Sequence, residues 1–146
     1  MDCVFCAIAA GRAPASIVWQ DERFVAFLDI YPVRPGHTLV IPRRHAPLLA
    51  DLDGDIGPLF VHAAALAAAR RPSGLPCDDL NLVLNDGRAA NQTVPHAHVH
   101  LVPRRRGDFP TLLRKLAQRP VQRLLGGPDR AALDRDAAAI RAALRL

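Results

Sequence analysis

A chain of 146 residues, half of them apolar, can bury one real core, and a single domain over 1–146 is expected. No apolar run approaches the ~20 residues that cross a bilayer, and Met1-Asp2-Cys3 has neither the basic flank nor the apolar stretch of a signal peptide. A cytoplasmic protein with no membrane partner is therefore expected. The net charge of +5 is spread along the chain, with Arg104-Arg105-Arg106 its main run; this fits a solvated surface that attracts anionic substrates and argues against a nucleic-acid partner.

The amino-terminal segment carries Cys3 and Cys6; with Cys77 they make an odd, sparse set for a disulfide framework, so a metal or redox role suits the close pair better. Ile17 to Gln20 and Phe24 to Leu28 read as short strands around the turn-prone Asp21-Glu22-Arg23, pairing as a hairpin. Tyr31 to Gly36 holds two prolines and a glycine and reads as a loop leading into a third strand, Thr38 to Ile41, which Pro42 stops. Ile56, Leu59, Phe60, Ala63, Leu66 and Ala67 recur at helical spacing, with nearby aspartates as caps and Pro58 in the first turn; this main helix should end near Arg71-Pro72. Leu80 to Leu84 and Ala97 to Val102 are further strands, joined by a polar loop through Asp86-Gly87 and Asn91. Arg119 to Pro128 reads as weakly structured, and a last amphipathic helix over about 129–145 places Leu133, Ala137, Ile140 and Leu144 on one face, with Asp129 as its cap. Strands grouped around one long helix predict an α+β fold with an antiparallel sheet.

Five histidines, His37, His45, His96, His98 and His100, stand where chemistry explains them better than packing does. In His96-Ala97-His98-Val99-His100 a strand's period of two puts three imidazoles on one face. Such a row is costly to bury unless ligands or phosphates use the ring nitrogens.

The segment Gln92-Thr93-Val94-Pro95-His96-Ala97-His98-Val99-His100-Leu101-Val102-Pro103-Arg104 closely resembles the signature of the histidine-triad superfamily. The likeness extends upstream through Asn85-Asp86-Gly87, Pro35-Gly36-His37-Thr38-Leu39-Val40-Ile41-Pro42 and Phe27-Leu28-Asp29, so that about 3–109 is covered. It implies a five-stranded antiparallel sheet with two main helices and a homodimer with a continuous sheet. The activity it implies is cleavage at the α-phosphate of a nucleotide. By position, His98 matches the nucleophile, and His100 and His37 match residues that contact the α-phosphate. Asn85, Gln92 and Thr93 match phosphate or leaving-group contacts, and Asp29 matches the acid that bridges the ribose hydroxyls. Val4, Phe5, Ile8, Phe27, Ile30 and Leu39 match the apolar walls around a base, a purine at most by preference; each also fits an ordinary core. Taken alone, Asn85-Asp86-Gly87 also reads as a plain turn.

The chemistry agrees with this assignment, because a neutral imidazole is a good nucleophile near pH 7 and its bond to phosphorus is labile to water. Hydrolysis of a dinucleoside polyphosphate or a nucleoside phosphoramidate through a nucleotidyl-histidine intermediate is the leading expectation. Nucleotidyl transfer to another acceptor and nucleotide binding with vestigial activity are the alternatives. No organic cofactor is expected.

Cys3-Val4-Phe5-Cys6 has the separation of a zinc half-site, and resemblance to zinc-bearing members of the superfamily implies His45 and His96 as the other two ligands of a structural zinc. Two reduced cysteines packed as small apolar residues is the competing reading. Two departures from the family pattern stand out: Asn91 where glycine is usual, and no aromatic residue near the carboxy end. Arg104-Arg105-Arg106 could neutralise an extended polyphosphate or form a solvated surface run.

Overall fold

The computed structural model describes residues 3–125 and 129–144. Five strands form one antiparallel sheet: β1 (Ile17–Gln20), β2 (Phe24–Leu28), β3 (Thr38–Pro42), β4 (Asp79–Leu84) and β5 (Val99–Arg104). Their spatial order is β1-β2-β3-β5-β4. The β1–β2 turn is set by Asp21, whose Oδ1 accepts the N–H groups of Arg23 and Phe24, each at 2.7 Å, closing the chain before it can extend.

Every residue of β2 and β3 is buried because both faces of the sheet centre are covered. Alternation divides them between two cores. Phe24, Ala26, Leu28 and Val40 face the larger one, which is closed by α2 (Ile56–Arg70) and α4 (Arg130–Ala143). Val25, Phe27, Leu39 and Ile41 face a smaller one with Cys3 and Phe5. Helix α2 buries Leu59, Ala63 and Leu66, and α4 buries Leu133, Ala137 and Ile140, each set spaced four and then three residues apart. Asp129 caps α4 by accepting the Ala132 N–H at 3.0 Å.

The α+β antiparallel architecture and both main helices agree with the sequence reading, while four details differ. A short helix α1 (Val4–Ala9) follows Cys3. Asp55 does not cap α2 through its side chain but pairs with Arg23; its neighbour Asp51 instead accepts the Leu48 N–H at 2.9 Å. Strand β5 begins at Val99, so His96 and His98 lie in the extended lead-in rather than in the ladder. The stretch from 119, expected to be weakly structured, continues a long helix α3 (Phe109–Leu125) past 120; the remainder of that expectation, 126–128, lies outside the described residues. The register Leu39↔His100 and Phe27↔Leu39 lines the histidine segment up with the loop before β3, which carries His37.

Candidate active site and metal centre

Within His96-Ala97-His98, the first imidazole turns into a cluster with Cys3, Cys6 and His45. His96 is fully buried; its Nε2 lies 2.8 Å from the Pro42 carbonyl oxygen, which can only accept. That bond puts the ring proton on Nε2 and leaves the Nδ1 lone pair facing both thiols, 3.5 Å from Cys3 Sγ and 3.5 Å from Cys6 Sγ. His45 Nδ1 lies 3.3 Å from Cys6 Sγ. Around a tetrahedral zinc with ordinary bond lengths, sulfur and nitrogen ligands stand about 3.6 Å apart. The donor set and its spacing therefore fit zinc. Burial depresses His96 to about 4, and the Pro42 hydrogen bond opposes this only in part, so the ring is neutral at pH 7 as a ligand must be.

Two residues on, His98 is almost as buried, and its Nδ1 lies 2.6 Å from the carbonyl oxygen of His96. A carbonyl cannot donate, so the proton sits on Nδ1 and the lone pair on Nε2. Burial lowers the His98 pKa against the opposing pull of the His96 carbonyl and the Asp29 charge, which keeps the ring neutral and nucleophilic. Phe5 stands edge-on to it, ring centres 5.1 Å apart, and steadies its plane.

His37 and His100 form the adjoining pair, with His37 Nε2 3.0 Å from His100 Nδ1. The Val33 N–H lies 3.4 Å from His37 Nδ1, making that atom an acceptor and placing the His37 proton on Nε2, from which it is donated to His100. His100 then carries its own proton on Nε2. Asp29 Oδ2 lies 3.6 Å from His37 Nδ1.

A cleft of about 160 Å³ collects the sequence-predicted base and ribose residues: Val4, Phe5, Ile8, Phe27, Ile30 and Leu39 line it together with Asp29 and Thr93, and it reaches His98 and His100. A second cavity of about 860 Å³ also reaches the histidine pair; His37, His100, Asn85, Thr93, Leu112 and Leu116 are among the residues that line it. Gln92 lines neither cavity. Its Oε1 accepts the Gly87 N–H and its Nε2 donates to Pro47 O, both at 2.7 Å, so it pins the loop. Asp86 likewise does more than turn the chain, accepting the Leu49 N–H at 2.8 Å.

Asn91, where glycine is usual, has φ of 64°, the left-handed region that glycine enters freely and asparagine tolerates. Sequence reasoning missed Asn81, Leu112 and Leu116 as lining of the larger cavity. The α3 residues were readable in principle, since Leu112, Leu113 and Leu116 fall at helical spacing, but Pro120 obscured the helix.

Sheet, histidine row and cysteine pair together define a fold of the histidine-triad class. The HIT domain family model matches residues 10–107. A HIT-like protein of Mycobacterium tuberculosis is 42% identical over 136 residues, 92% of this chain and 90% of its own length. The crystal structure of a zinc-bound histidine triad family protein from Mycobacterium smegmatis superposes with a TM-score of 0.78 at 41% identity, covering 99% of this chain and 94% of the other. An adenosine 5'-monophosphoramidase of Saccharomyces cerevisiae is 35% identical over 70% of this chain and 63% of its own. The chain belongs to the HIT family.

Proposed function

We propose that this protein is a nucleotide hydrolase in which His98 Nε2 attacks the α-phosphorus, releasing the leaving group, and water then cleaves the phosphorus–nitrogen bond to yield a nucleoside monophosphate and free His98. The observation that carries this reading is the His98 hydrogen bond to the His96 carbonyl, which commits the ring proton to Nδ1 and leaves Nε2 as the nucleophile beside the base cleft. In this scheme His37 and His100 hold charge on the phosphoryl oxygens as bonds change, and Asn85 and Thr93 contact the phosphate or leaving group. Asp29 takes the ribose, and the apolar cleft takes a purine.

Between the two substrate classes, the larger cavity favours a phosphoramidate over an extended polyphosphate. Among the described residues, no arginine or lysine lines it. Arg104, the first of the basic run, is held by Asp108 at 2.6 Å and by Asn81 Oδ1 at 2.6 Å instead of being presented to a second nucleotide. The activity of the yeast phosphoramidase supports the same preference.

Cys3, Cys6, His45 and His96 would hold a structural zinc, whose contribution is to fix the backbone carbonyl that orients His98. A homodimer through the β4 edge is supported by the exposure of Leu82 and Val83 there and of Phe60 and Val61 on α2. The test is intact-protein mass spectrometry after acid-free quenching, with adenosine and guanosine phosphoramidates and dinucleoside polyphosphates. A nucleotidyl adduct on wild type and none on His98→Ala supports the mechanism; monophosphate release by both overturns it.

A further inference from the structure

Arg70, at the end of α2, is 2% exposed, although its sequence context, two arginines closing a helix, suggests a solvated end. An arginine cannot shed its charge, so burying it is costly unless the surroundings use every donor. Here they do not. Nη1 donates to Ser73 Oγ at 2.9 Å and to Leu75 O at 3.1 Å, and Nη2 donates to Pro35 O at 2.8 Å, but Nε is buried with no partner.

What the guanidinium lies against is the loop that carries His37. A Cβ on Gly36 would sit 2.6 to 2.8 Å from three of its atoms, and Gly36 has φ of +77°, so contact and backbone conformation both require glycine there. Asp136 of α4 lines a small cavity together with Pro35 and lies in the field of Arg70. The loop is thus held by its Pro35 carbonyl and packed against at Gly36, immediately before the histidine. Beyond that grip, the His37 carbonyl accepts the Asp29 N–H at 2.9 Å, and its Nε2 meets His100.

We infer that Arg70 is a positioning residue, which sets the Pro35–Gly36 backbone and thereby holds the His37 imidazole against His100. This inference rests on the role given to His37 above. It explains why a buried, incompletely satisfied guanidinium is kept at this place: its planar fork reaches three acceptors in one orientation, which a lysine cannot copy.

The test compares wild type, Arg70→Gln and Arg70→Lys as purified, each confirmed folded by its melting transition. Imidazole nitrogen NMR spectra of the free proteins come first, followed by kcat and KM on an adenosine phosphoramidate, alone and in a His37→Ala background. The expected result is that His37 and His100 resonances move while His62 stays, and that kcat falls at least ~10-fold with KM changed less than about threefold. No further loss is expected once His37 is alanine. Unmoved His37 and His100 resonances overturn the inference whatever the reaction proves to be. Moved resonances with unchanged kcat locate the fault in the role assigned to His37, and losses that multiply with His37→Ala show Arg70 acting by another route. If both Arg70 variants fail to fold, Ser73→Ala, which removes one of the three acceptors, is read by the same criteria.

Discussion

His96 and His98 are two residues apart, equally buried and neutral, yet they sit in sites of opposite design. Both nitrogens of His96 are committed, Nε2 to the Pro42 carbonyl and Nδ1 to the thiol cluster. His98 commits only Nδ1, and to the carbonyl of His96 itself. A closed set of partners makes a structural centre, whereas a lone pair left on a cavity wall makes a reactive one. The difference comes from the partners waiting on each side of the segment, since the two rings are chemically the same. The first site also orients the second, because the residue that completes the cysteine cluster supplies the carbonyl that sets the tautomer of His98.

Breaking the reactive side should have the largest effect. His98→Ala is expected to lower turnover of a nucleoside phosphoramidate by at least ~10³-fold while nucleoside monophosphate affinity, measured by calorimetry, changes only a few-fold; equal losses in both would move His98 from bond making to binding. Breaking the structural side should be nearly as costly but should show in a different measurement. Wild type is expected to carry about one zinc per chain by metal analysis, and Cys3→Ala with Cys6→Ala to lose it and to melt on the order of 10 °C lower. His96→Ala tests the link between the two sites. It should lose the metal yet retain more activity than His98→Ala, because the backbone carbonyl that orients His98 survives the substitution.

Smaller effects sharpen the picture at the edges of the cavity. Asn91→Gly should leave stability and activity within about twofold, whereas Asn91→Ala, a β-carbon without the amide at φ of 64°, should cost ~1 kcal/mol in urea unfolding. Asp108 provides the pH test. The side-chain hydrogen bond from Arg104 holds its carboxyl down to about 2, with the Arg105 N–H and the charges of Arg104 and Arg34 assisting against burial. A depressed acid contributes stability above its unfolded value near ~3.9 and loses it as pH falls towards 2. Arg104→Gln should therefore be less stable than wild type at pH 6, and the gap should narrow between about pH 4 and 2 in denaturant melts.

Much of this was legible along the chain. Alternation marked β1 to β4 within a residue or two of their ends, and the four-and-three spacing of Leu133, Ala137 and Ile140 marked α4. The base-cleft residues, drawn from four separate segments, do converge on one cleft. Gln92 shows the limit: a motif position indicates where a side chain starts, but the Gly87 amide and the Pro47 carbonyl decided where it ends. Arg70 shows it more sharply, because nothing in a helix-ending Arg-Arg pair reveals that the Pro35–Gly36 loop will pack on one of the two.

By itself, then, the sequence determined the strands, the two main helices, the family, and the residue types from which both sites are built, because periodicity and motif spacing are local properties of the chain. The tertiary structure alone decided the ring tautomers and the grip on the His37 loop. Each of these depends on a carbonyl, amide or guanidinium contributed from a distant segment, and a hydrogen bond exists only where folding brings its two ends together.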